Sequence, residues 1–70
     1  MNQQRAEELE AKIHRLLSDF RPRTIKEISA ELNEPYMDVL KIVTELFNVG
    51  ALKELVYNGL EMYYPYRREC

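Results

Sequence analysis

Up to Gly50 the apolar residues of this chain recur at spacings of three and four; beyond it they recur at spacings of two. Leu9, Ile13, Leu16, Leu17 and Phe20 fall on one face of a helix predicted over 3–20, with Glu7, Glu8, Lys12 and Arg15 mostly off that stripe. Pro22 stops it, because the residue before a proline is pushed out of helical geometry. Thr24-Ile25-Lys26-Glu27 fits a capping box at the start of a second helix over 25–32, whose inward stripe is Ile25, Ile28 and Leu32. Asn33-Glu34-Pro35 breaks the chain, since proline starts a helix well and cannot continue one. The third helix is predicted over 35–48, with Val39, Leu40, Val43, Leu46 and Phe47 buried and Gly50 closing it in the left-handed conformation.

The change of period predicts a hairpin over 52–66. Asn58-Gly59 is the strongest short signal for a type I′ turn, with both central residues at positive φ. A two-residue turn sets Tyr57 opposite Leu60, Leu55 opposite Met62 and Lys53 opposite Tyr64. That face is the more apolar and is expected on the helices, leaving Glu54, Val56, Glu61 and Tyr63 on the other. Pro65 marks an edge or the strand end.

Composition narrows the function classes. Seventy residues make one domain, 1–70, with a small core: a chain this short buries only about 60% of its unfolded surface. A hydrophobic fraction of 46% and a charged fraction of 31% are those of a globular protein. No apolar run reaches membrane-span length, and Met1 to Glu8 lacks the pattern of a secretion signal, so a cytoplasmic protein without membrane contact is expected. The lone Cys70 builds no disulfide framework and reads as an exposed terminal thiol. With one His and one Cys, no zinc site of the usual kind can form. His14 has no Ser, Cys or second ligand beside it in any motif, and the two glycines are used by a helix cap and a turn. Neither a catalytic residue, a cofactor nor a metal is expected, and the chain does not read as an enzyme.

Three helices with a tight break between the second and third, followed by a hairpin, resemble the winged helix-turn-helix superfamily of DNA-binding domains. The residues that carry the likeness are Thr24-Ile25-Lys26-Glu27-Ile28 through Leu32, then Val39, Val43, Leu46, Gly50 and Leu52, with Tyr63-Tyr64 in the return strand. It covers roughly residues 9–66. The implied fold is α+β, three helices followed by a two-stranded β-hairpin wing.

The resemblance implies a transcriptional regulator that binds duplex DNA as a dimer. Its third helix would enter the major groove, presenting Tyr36, Met37, Asp38, Lys41, Ile42 and Glu45. The start of helix two would touch phosphate through Arg21, Arg23, Thr24 and Lys26, with Asn58 at the wing tip and Arg67 and Arg68 beyond it. Charge argues the other way. The net charge is −2, and residues 34–54 hold Lys41 and Lys53 against Glu34, Asp38, Glu45 and Glu54. Bases are usually read by Arg, Lys, Asn, Gln, Ser or Thr. The alternative is therefore a protein-interaction module that docks a partner on Tyr36, Met37 and Ile42. Among the tyrosines, Tyr57 and Tyr64 are expected in the core and Tyr36, Tyr63 and Tyr66 at the surface. The first helix holds more apolar positions than a small core needs, so Leu9 or Leu17 is expected to pack on a second copy in a homodimer.

Overall fold

In the computed structural model, which describes residues 2–66, the order is α1 (Gln3–Leu16), a 3-10 turn (Leu17–Asp19), β1 (Arg23–Thr24), α2 (Ile25–Leu32), α3 (Tyr36–Asn48), β2 (Leu52–Tyr57) and β3 (Leu60–Pro65). This is the α+β winged helix-turn-helix arrangement, three helices followed by a hairpin. Arg67, Arg68 and Cys70 lie outside the described residues.

Each helix boundary has a local cause. The Asn2 side chain accepts from the Arg5 amide at 2.8 Å and opens α1. The α-helix ends four residues before Phe20, the end predicted from Pro22. The chain tightens through Leu17–Asp19 and turns at Phe20, whose φ of 61° is left-handed. Phe20 therefore leaves the inward stripe and is 47% exposed. The capping box of α2 is present in full: the Glu27 amide donates to Thr24 Oγ1 and the Thr24 amide to Glu27 Oε1, both at 3.1 Å. Asn33, at φ 53°, closes α2, and the Glu34 amide donates back to the Ser29 carbonyl. Gly50, at φ 85°, closes α3 in the same way, with the Ala51 amide on the Leu46 carbonyl at 2.8 Å.

The hairpin has the predicted register, Tyr57 on Leu60, Leu55 on Met62 and Lys53 on Tyr64, with Asn58 and Gly59 both at positive φ. Its inward face is the opposite of the predicted one. Leu52 and Tyr63 are buried, whereas Tyr57 is 63% exposed and Leu55 42%. The pairing was legible, but both faces carry apolar residues, and counting them selects the wrong one. A third strand also enters the sheet. Arg23 and Thr24 pair antiparallel with Tyr63 and Met62, giving the order β1-β3-β2.

The core joins Leu9, Ile13 and Leu17 to Ile25 and Ile28, to Val39, Ile42, Val43 and Leu46 of α3, and to Leu52 and Tyr63. Leu16, Leu32 and Leu40 pack against it while half-buried. Phe47, predicted inside, is 40% exposed and meets the Tyr63 ring edge-on at 5.9 Å. Leu9 and Leu17 are at most 1% exposed within their own chain, so they cannot also anchor the dimer contact expected of the first helix. Among the described residues no helix is long and apolar enough to cross a membrane.

Candidate nucleic-acid interface

The buried stripe of α3, Val39, Ile42, Val43 and Leu46, fixes which side of that helix faces solvent. The opposite stripe carries Met37, Lys41, Thr44, Glu45 and Asn48, all exposed. Ile42, expected among the groove-facing residues, is only 3% exposed. The buried arc of α3 is rotated from the predicted stripe: it gains Ile42 on one side and gives up Phe47, 40% exposed, on the other. Thr44 and Asn48 were not among the expected contacts. They lie three and seven residues after Lys41, so completing its helical stripe finds them.

Tyr36, at the start of α3, is 48% exposed and stands beside the start of α2 and the wing. Between them lies an open groove of about 570 Å³, lined by Thr24, Lys26 and Glu27 on one side and by Gly59, Leu60 and Glu61 on the other. The capping box settles the local chemistry. Thr24 Oγ1 and the Glu27 carboxylate already hold each other's backbone amides, while Lys26 is exposed at the groove. Asn58 forms the exposed turn at the wing tip.

The cations divide into two kinds. Arg23 is tied into the molecule: its guanidinium holds both Asp19 oxygens at 2.9 Å, Glu31 at 2.8 Å and the Leu16 carbonyl at 3.2 Å. Its side chain is only 12% exposed, which removes it from the open phosphate-facing set. That hydrogen bonding, with the Arg21 amide, holds the Asp19 carboxyl well below the usual carboxylate range and raises the Arg23 pKa. Arg5 and Lys12 of α1 clamp Glu34 at 2.6 and 2.8 Å, and Arg5 also reaches Asp38 at 3.4 Å. Hydrogen bonds from Arg5 and then Lys12 lower the Glu34 carboxyl to about 2. Lys53 lies 4.6 Å from the centre of the Tyr66 ring. By contrast, Arg15, Arg21, Lys26 and Lys41 form no ion pair with a described residue.

These pairings change the electrostatic picture near α3. Glu34 and Asp38, which made residues 34–54 acidic, are neutralised by cations brought from α1, a distant segment of the sequence. On the solvent stripe itself Lys41 is balanced by Glu45. Among the described residues no group of three or more His, Cys, Asp or Glu side chains could hold a metal ion.

No family model matches the chain, and no curated protein matches it. A solution NMR structure, that of protein BT2368 from Bacteroides thetaiotaomicron, is similar with a TM-score of 0.77 over 93% of this chain and 79% of that one. The two are 18% identical, a level at which the likeness speaks for the fold alone.

Proposed function

We propose that this chain is a DNA-binding regulator of transcription that sets α3 in the major groove of duplex DNA, with the start of α2 against the backbone. The observation that carries the reading is the solvent stripe of α3. Lys41, Thr44 and Asn48 are residue types that read base edges, they stand on one exposed face, and Met37 beside them suits a thymine methyl. Lys26, exposed and without an ion pair to a described residue, supplies phosphate attraction at the start of α2. With so few open cations, affinity comes from a handful of phosphate contacts, and Glu45 is left to accept from a cytosine amino group.

Fluorescence anisotropy with mixed-sequence duplex DNA at low and physiological salt tests this. Binding should weaken as salt rises, and Lys26→Ala should lower the salt slope by about one. Asn48→Ala should relax sequence preference, at a cost of about 1–3 kcal/mol on the preferred site. A flat titration at low salt and high protein concentration overturns the reading.

One observation favours a second reading, a protein-docking module. Tyr36, Met37 and Leu60 are 48%, 69% and 56% exposed around the groove, although Ile42 no longer belongs to that surface. In that case DNA fails to bind, while Tyr36→Ala abolishes capture of a protein partner.

A further inference from the structure

We infer that the open edge of β2 pairs antiparallel with β2 of a second copy of this chain, joining two three-stranded sheets across a two-fold axis at Leu55. Among the described residues, the sheet order β1-β3-β2 leaves one side of Leu52–Tyr57 without a neighbouring strand. This edge is six residues long, holds neither proline nor glycine, and carries Leu55, Val56 and Tyr57, which are 42%, 59% and 63% exposed. Long apolar edges of this kind pair with other chains unless something guards them.

The two charges on this edge, though exposed, are each engaged within their own chain. Lys53 lies over the ring of Tyr66, just past the end of β3, and Glu54 accepts from the Tyr63 hydroxyl at 3.3 Å. The backbone is also set for pairing. The Tyr66 amide donates to the Ala51 carbonyl at 3.1 Å, so the odd-numbered residues of β2 turn their amide groups toward β3. Glu54 and Val56 then offer both N–H and C=O to the open side.

Charge and backbone pairing together select the register: an axis on Val56 opposes no like charges either, but it leaves only one reciprocal pair of outward-facing residues within the strand. A two-fold axis on Glu54 would set two carboxylates face to face, and one on Lys53 would oppose two ammonium groups. An axis on Leu55 sets leucine on leucine, Lys53 on Tyr57 and Glu54 on Val56, with no like charges opposed. It also pairs the two residues whose amide groups point outward, Glu54 with Val56, giving two such reciprocal pairs around the axis. On the outward face Leu55 and Tyr57 of both copies become one apolar strip. This inference stands independently of the DNA reading.

Sedimentation equilibrium of the full chain, combined with amide hydrogen exchange, tests it. The wild type should sediment at twice the chain mass. The Glu54 and Val56 amides should be protected at high concentration and lose protection on dilution, while the Leu55 and Tyr57 amides, bonded to β3, stay protected throughout. Leu55→Lys sets two cations on the axis from an outward-facing position and should give a folded monomer. Val56→Pro removes only an edge-facing donor and should do the same. If the proline variant fails to fold, Leu55→Lys and the exchange pattern decide. A wild-type monomer at roughly millimolar concentration overturns the proposal, as does a dimer that survives Leu55→Lys.

Discussion

The helical body and the hairpin are built from similarly apolar segments, yet they use them differently. In α1, α2 and α3 the apolar stripe turns inward and Leu9, Ile13, Ile28, Val39 and Val43 are wholly buried. In the hairpin only Leu52 and Tyr63 enter the core, while Leu55, Val56, Tyr57 and Leu60 stay in solvent. A helix of this size has one face to bury and the fold buries it. A two-stranded wing projecting from the body can bury only its root, so whatever apolar surface lies beyond the root is available to something outside the chain.

The largest effect should come from cutting into the body. Ile13→Ala removes a side chain that is 0% exposed within the core. Its cost should be about 2–5 kcal/mol, a large part of the stability of so small a domain. Urea denaturation followed by circular dichroism measures it. Leu52→Ala, at the hairpin root, should cost a similar amount, because in packing it belongs to the body. A loss under about 1 kcal/mol at Ile13 would mean that the body is not held by the packing of its buried stripes.

The division also explains how much of the fold could be read from the residues. Thr24 and Glu27 announce the start of α2 through a reciprocal pair of hydrogen bonds that needs no tertiary context, and Asn58-Gly59 sets the hairpin register for the same reason. The inward face of the hairpin depends on where the body sits, and period-two alternation between two apolar faces does not contain that. Strand β1 is two residues long, too short to show any period. Arg23 looked like an open cation because its partners, Asp19 and Glu31, belong to elements whose packing brings them around it. Within the candidate interface, Lys41 and Met37 were legible from helical spacing. Thr44 and Asn48 follow from the same stripe, and Ile42 was misplaced because the buried arc is rotated toward it and away from Phe47.

An intermediate effect should appear where the body is tied by charge. Glu34 joins the α2–α3 turn to Arg5 and Lys12 of α1, and its carboxyl is lowered to about 2 from an ordinary 4.5. The folded state therefore binds this proton less readily than the unfolded chain. The stabilisation is whole above the unfolded value and is lost as pH falls through about 2. Thermal unfolding from neutral pH downward should show Tm falling across that window. Glu34→Gln should lower Tm at neutral pH and flatten part of the slope. Asp19, held low by Arg23, accounts for a remaining acid dependence. An unchanged slope in Glu34→Gln would mean that the clamp contributes nothing in solution.

The smallest effect should come from the exposed end of the wing. Leu60 is 56% exposed near the hairpin turn, and truncating it leaves no cavity. Leu60→Ala should change monomer stability by no more than about 0.5 kcal/mol. The measurement belongs on the Leu55→Lys background, where association adds nothing to the folded state. Set beside Ile13→Ala, it compares two apolar truncations in one small protein, one inside the body and one outside it. If Leu60→Ala instead costs more than about 1 kcal/mol in the monomer, the wing packs on its own chain more closely than its exposure indicates. Its apolar residues would then be part of the body, and the contrast between the two regions would fail at the wing.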